Sequence, residues 1–73
     1  MDRVLIVEHL AQAERHVTQG QQHIEQQRKI IREPEREGHD SAKARDLLIQ
    51  FEEMQLLHIS DRDRLRAELA RDE

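Results

Sequence analysis

Apolar residues recur with the period of an α-helix along the first half of the chain. Leu10, Val17, Ile24 and Ile31 stand one heptad apart, and a second column of residues runs beside them, three positions further on. That second column consists of Ile6, Ala13, Gly20, Gln27 and Pro34. Two columns at this spacing form the seam of a coiled-coil helix. The pattern predicts a helix from about residue 2 to about residue 37.

The second half of the chain carries the same type of pattern. Ala44, Phe51, His58 and Leu65 form one column at heptad spacing. The apolar residues that flank this column are Leu47, Met54, Leu48 and Leu69. Leu, Ala, Glu, Gln, Arg and Ile dominate the composition, and these residue types favour helices. A second helix with one apolar seam is therefore predicted from about residue 41 to about residue 71.

The residues that interrupt helices are concentrated between these two stretches. The segment from Pro34 to Ser41 holds the single proline of the chain and one of its two glycines, Gly38. Gly38 suits the left-handed position just past a helix end, and Asp40 or Ser41 suits the cap of the following helix. Because proline removes a backbone donor and crowds the preceding turn, we expect a kink or an early end of the first helix near Arg32.

A connection this short requires the two helices to pack as an antiparallel hairpin. The predicted fold class is therefore all-α, with one domain over residues 1–73 that contains two long helices and a turn at residues 38–40. The predicted core of the hairpin consists of Leu10, Val17, Ile24, Ile31, Leu47, Leu48, Phe51, Met54 and Leu65.

Two helices share one seam but cannot enclose it, and the chain has more apolar residues than the seam uses. Ile49, Leu56 and Ile59 fall outside the seam of the second helix. An apolar surface of this kind is typical of an association face. We predict that two hairpins pair through it as a homodimeric four-helix bundle, or that it meets a helix of a partner protein. The alternative is a monomer in which long Arg and Gln side chains half cover these residues.

Composition excludes several classes of function. The chain has 73 residues, a formal net charge of −4, and no Cys, Trp or Tyr. The lack of Cys excludes a disulfide scaffold, a cysteine-based zinc site and a thiol nucleophile. So short a chain can hardly enclose both a core and a substrate pocket, and it has no glycine-rich loop and no nucleophile motif. We therefore expect neither enzymatic activity nor a cofactor.

The N-terminal segment gives the expected location of the protein. Its apolar run, Val4–Val7, is followed directly by charge. A signal peptide needs a longer apolar stretch and a cleavage site of small residues, and a transmembrane helix needs a much longer stretch. We expect a cytoplasmic protein without membrane contact.

Histidine is the residue type with the most unusual placement. His9, His16 and His23 stand one heptad apart, roughly 10 Å along the axis from one to the next, which is too far for a shared metal ion. If facing residues have numbers that add to about 74, His16 shares a layer with His58. A symmetric dimer could collect both residues from two chains, as a zinc site or a pH-sensitive layer. We predict no metal, because such histidines usually pack by their rings, and His16 and His58 remain the candidate ligands.

A basic cluster surrounds the predicted turn. It consists of Arg28, Lys29, Arg32, Arg36, Lys43 and Arg45. A helical-hairpin dimer can bind structured RNA through such residues, as in the plasmid copy-number Rop protein, which resembles the predicted fold in architecture only. Acidic residues interleave with the basic ones here, and the single aromatic residue offers no stacking platform. Nucleic-acid binding is therefore disfavoured and kept as an alternative.

Three runs of residues carry a resemblance to known proteins: Glu8–Val17, Gly38–Ser41 and Phe51–Leu65. In these runs the sequence resembles a group of small, uncharacterised bacterial helical-hairpin proteins of unknown function. The resemblance would extend over nearly the whole chain, which implies a complete protein. It implies no activity, cofactor or site residue.

The function predicted from these features is that of a non-enzymatic, self-associating interaction module, such as a small adaptor or regulator that binds a partner helix. A Rop-like RNA-binding dimer is the first alternative. A metal- or pH-responsive bundle that uses the His16/His58 layer is the second.

Overall fold

The computed structural model describes residues 2–32 and 41–71, and within these ranges it consists of two α-helices without any strand. Helix α1 spans Arg3–Arg32 and helix α2 spans Ser41–Arg71. The predicted turn at residues 38–40 and the expected effect of Pro34 lie outside the described residues.

Asp2 caps the start of α1. Its Oδ1 accepts a hydrogen bond of 3.2 Å from the backbone N–H of Val4, and its backbone oxygen accepts one of 3.0 Å from the N–H of Ile6. The first N–H groups of a helix have no partner within the helix, and an aspartate at the cap position satisfies one of them. The helix therefore begins where a suitable side chain is present.

The two helices run antiparallel and pack against each other along their length. The ring of His16 lies beside that of His58, and the ring of His23 lies beside that of Phe51. As residue numbers rise in α1 they fall in α2, and the numbers of both pairs add to 74. The prediction of an all-α, two-helix hairpin is confirmed, and His16 shares a layer with His58 as the register predicts.

The hairpin has the shape of a rod only one layer of helices thick. Its Cα atoms extend over 56 × 14 × 13 Å, and their radius of gyration is 16.6 Å. A globular domain of this length would have a radius of gyration of about 11 Å. Each helix consequently exposes much of its circumference, and the core is confined to the contact between α1 and α2.

The core contains small and polar residues as well as large apolar ones. The buried residues are Ile6, Ala13, Ile24, Gln27, Ala44, Gln55 and Leu65. Among the other residues predicted for the core, Leu10, Val17, Ile31, Leu48 and Phe51 are half-buried. The contact between the helices thus follows both predicted columns of α1 and the Ala44/Leu65 column of α2.

Two of the predicted core residues lie outside the core. Leu47 is 40% exposed and Met54 is 52% exposed. The second column of the α2 seam instead contains Leu48, Gln55, Arg62 and Leu69, all buried or half-buried. Because Gln55 and Arg62 are polar, the pattern of apolar residues does not show this column. The pattern points instead to Leu47 and Met54, which lie on the other flank.

Candidate functional site

One long side of the hairpin carries ion pairs between the helices. Arg66 contacts Glu14 at 3.4 Å, and Arg28 contacts Glu52 at 3.7 Å. The side chains of all four residues are about half exposed, so each pair contributes less than about 1 kcal/mol to stability. These four residues define the ion-pair side, which has the character of a solvated surface.

The opposite long side carries two shallow clefts. The first, of about 90 Å³, is lined by His16, Gln19, Gly20, His23, Phe51, Met54 and His58. The second, of about 290 Å³, is lined by His23, Gln26, Gln27, Ile30 and Phe51. The residues that line the two clefts define the cleft side. None of them is Asp, Glu, Lys or Arg, in contrast to the ion-pair side.

The uncharged character of the cleft side continues along α1. Residues spaced by three or four positions share one face of a helix. The residues that share the face of α1 with the cleft residues are all uncharged: Leu5, His9, Gln12, His16, Gln19, His23, Gln26 and Ile30. In α2 the matching residues from position 47 to position 57 are Leu47, Gln50, Met54 and Leu57, and Lys43 precedes them on the same face. Depletion of charge distinguishes the centre of a protein–protein interface from the rest of a protein surface.

On this side of α2, charged residues lie at both ends, with Lys43 at the N-terminal end and Asp61, Arg64 and Glu68 toward the C-terminal end. Arg64 donates hydrogen bonds of 2.6 Å to Asp61 and 3.1 Å to Glu68. The hydrogen bond to Asp61 is the largest cause that raises the pKa of Arg64 above its usual value. The three charged residues pair within one helix, and none of them lines the two clefts in the middle of the cleft side.

The two histidines predicted to share a layer are in direct contact. The ring centroids of His16 and His58 are 5.1 Å apart, with an angle of 48° between the ring planes. Both side chains are half-buried at the floor of the first cleft. Within residues 2–32 and 41–71, no three His, Cys, Asp or Glu side chains lie close enough together to hold a metal ion. One described chain thus offers a metal two ligands at most at this layer.

Two buried glutamines connect the helices. Nε2 of Gln27 donates a hydrogen bond of 2.8 Å to the backbone oxygen of Ala44, and Nε2 of Gln55 donates one of 2.8 Å to the backbone oxygen of Val17. Each glutamine is only 6% exposed. A buried polar side chain with one specific partner penalises other registers. Sequence reasoning missed Gln55, although a polar residue at a heptad seam position is a recognisable signal.

Because Gly20 has no side chain, the side-chain amide of Gln55 can occupy the space beside it. A Cβ atom on Gly20 would overlap Oε1 of Gln55 and lie 2.8 Å from its Cδ. The same Oε1 is buried and has no hydrogen-bond partner among the described residues. The glycine in the middle of α1 is explained by this close packing of the Gln55 amide.

The predicted association face does not lie on the cleft side. Ile49 and Leu56 are exposed, whereas Ile59 is half-buried. By helical spacing these residues flank Glu52, which belongs to the ion-pair side. The surplus apolar residues of α2 are therefore divided, with Leu47, Met54 and Leu57 on the cleft side and Ile49 and Leu56 on the other.

The basic cluster is only partly within the described residues. Arg28 pairs with Glu52, and Lys29, Arg32, Lys43 and Arg45 are exposed. Arg36 lies outside the described ranges. An arginine engaged with a carboxylate is less available to a phosphate, so the geometry adds no support to the RNA-binding alternative.

Comparisons with protein-family models, curated proteins and solved structures give no match for this chain. In the part of the chain that the structure describes, neither helix has an apolar stretch long enough to cross a lipid bilayer. The features that distinguish this chain are the geometry of the hairpin and the difference in charge between its two sides.

Proposed function

We propose that the protein is a non-enzymatic interaction module that forms a homodimer through its cleft side. The observation that carries this proposal is a surface with an uncharged, partly apolar middle along one side of a rod that is too thin to have a closed core. Two hairpins stacked face to face would form a four-helix bundle and enclose the half-buried seam of each. The bundle would act as a small adaptor or regulator for a partner helix.

The chemistry of the cleft side favours a second copy of the chain over an unrelated partner. In an interface with two-fold symmetry, both chains contribute the same surface, so that surface must be complementary to itself. Glutamine and neutral histidine each donate and accept hydrogen bonds, so they can pair with their own kind. The middle of this surface has no formal charge, so pairing two copies of it there creates no repulsion between like charges.

The exposed area of the hairpin is consistent with an unfilled interface. The accessible surface is 5722 Å². A compact monomer of this mass would expose about 4,700 Å². The excess of roughly 1,000 Å² is close to the ~800 Å² that each partner contributes to a protein–protein interface of standard size.

The test is the solution mass of three chains by sedimentation equilibrium: the wild type, Met54→Lys and Leu56→Lys. Met54 lies on the cleft side, and Leu56, which is 67% exposed, lies two residues away on the other side. We expect the wild type and Leu56→Lys to have twice the 8.7 kDa mass of the chain, and Met54→Lys to be a monomer. An unpaired charge buried at the interface centre would cause the loss.

Both substitutions place lysine, a good helix former, at an exposed position of the isolated hairpin, so neither lowers helix propensity. A loss of helical circular dichroism in Met54→Lys but not in Leu56→Lys would therefore report the loss of association. A wild type that stays monomeric at high concentration would contradict the proposal. Dissociation of the dimer by Leu56→Lys but not by Met54→Lys would show that the interface lies on the side that carries Ile49.

A further inference from the structure

The His16/His58 pair lies near the middle of the hairpin. His16 is close to the midpoint of Arg3–Arg32, and His58 is close to the midpoint of Ser41–Arg71. Both residues line the first cleft, so the pair faces the surface through which we propose that the chain dimerises. This inference rests on that proposed function.

Two symmetric arrangements let the hairpins overlap over their full length. In both of them the His16/His58 layer of one chain meets the same layer of the second chain. If the two-fold axis runs along the rod, every layer meets the same layer of the second chain. If the axis crosses the rod, it must pass through the middle to preserve the overlap, and only the central layer meets itself. In either case two His16 side chains and two His58 side chains come together.

We infer that the dimer binds one zinc-like divalent ion between these four histidines. Zinc binds imidazole nitrogens at about 2.0–2.1 Å in a tetrahedron, and this arrangement places the centroids of two bound rings roughly 5 Å apart. The observed centroid separation of His16 and His58 is 5.1 Å. Each chain therefore supplies half of a tetrahedral site with its rings already at the required separation.

The surroundings of the pair suit a closed, structural metal site. Gly20 has no side chain at the cleft, and Phe51 and Met54 give the cleft apolar walls. No Lys or Arg lines the cleft, so no fixed cation opposes the ion. Four imidazoles match the ligand preference of zinc, copper and nickel rather than that of magnesium or calcium. A site with four protein ligands has no open position for catalysis.

The test is zinc uptake by the untagged full-length chain after treatment with EDTA, measured by competition with a chromophoric chelator. We expect one zinc ion per two chains in the wild type. His16→Ala and His58→Ala each remove two of the four ligands, so each should weaken zinc binding by at least about 100-fold, because loss of even an outer-shell partner costs 10–100-fold.

Leu56→Lys is the control. Leu56 is 67% exposed and lies outside the cleft side, so its substitution should leave the affinity and the stoichiometry unchanged. Cobalt(II) serves as a spectroscopic probe, and the absorption bands of a tetrahedral complex should appear in the wild type and in Leu56→Lys but not in His58→Ala.

The mass of the EDTA-treated chain separates the two proposals. A dimer that takes up no zinc would overturn the metal site and leave self-association standing. A chain that stays monomeric with and without zinc would overturn both. Zinc uptake that persists unchanged in His58→Ala would show that the ion binds elsewhere, and would also overturn the inferred site.

Discussion

Gln55 joins the two helices through its side-chain amide. Its Nε2 donates to the backbone oxygen of Val17, and its Oε1 lies where a Cβ atom of residue 20 would otherwise be. A hydrogen bond of this kind contributes about 1 kcal/mol. Glycine in the middle of a helix costs a similar amount relative to alanine, about 1 kcal/mol. The hydrogen bond between Gln55 and Val17 therefore offsets the loss of helix stability that Gly20 causes in α1.

A double-mutant cycle between Gly20 and Gln55 tests this contact. Gly20→Ala alone should change the free energy of unfolding little or lower it, because the gain in helix propensity is offset by the displaced Gln55 amide. In a Gln55→Ala background the same substitution should raise it by about 1 kcal/mol. Urea unfolding at one fixed protein concentration would measure a coupling of roughly 1–2 kcal/mol.

The exposed residue Gln50 provides the control for this cycle, because it is a glutamine of the same helix outside the seam. Gly20→Ala and Gln50→Ala should be additive. Additivity of Gly20→Ala with Gln55→Ala, within about 0.5 kcal/mol, would contradict the proposed role of the glycine.

At the scale of the helix, α2 has two polar residues in its seam column and apolar residues on both flanks. Arg62 is half-buried, while Leu57 and Leu56 are exposed on opposite sides. Such a helix is only partly covered by α1. Phe51, on the other column of the seam, is half-buried and contacts His23 with ring centroids 5.6 Å apart. Full burial of Phe51 requires a second layer over the cleft side.

Phe51→Ala measures how completely α2 is covered. In a well-packed bundle the substitution should lower the free energy of unfolding by roughly 3–5 kcal/mol, because it removes a large side chain from a closed core. Leu56→Ala, on the exposed side of the same helix, should cost less than about 1 kcal/mol. Chemical denaturation of both variants at equal concentration gives the comparison, and similar small costs would show that Phe51 is not enclosed.

At the scale of the whole molecule, the rod shape makes stability depend on assembly. A single layer of two helices buries few large apolar residues, and isolated pairs of helices are only marginally stable in water. A homodimer whose chains unfold on separation gains stability by mass action. Folding and self-association of this chain are therefore expected to be coupled.

This coupling predicts that the melting temperature depends on protein concentration. For a two-state dimer of this size, a tenfold increase in concentration should raise the Tm by roughly 5 °C. Circular dichroism melts across a hundredfold range of concentration would show the shift in the wild type and in Leu56→Lys. A constant Tm in the wild type would indicate that the hairpin folds alone.

The amino-acid pattern by itself determined the two helices, their antiparallel order and the layer that His16 shares with His58. These features follow from heptad spacing and a short connection, which are local properties of a chain. Only the tertiary structure decided that Gln55 belongs to the seam, that Leu47 and Met54 do not, and that the two sides of the rod differ in charge. Those features depend on how α2 is rotated against α1, and small differences in hydrogen bonding and packing between helices set that rotation.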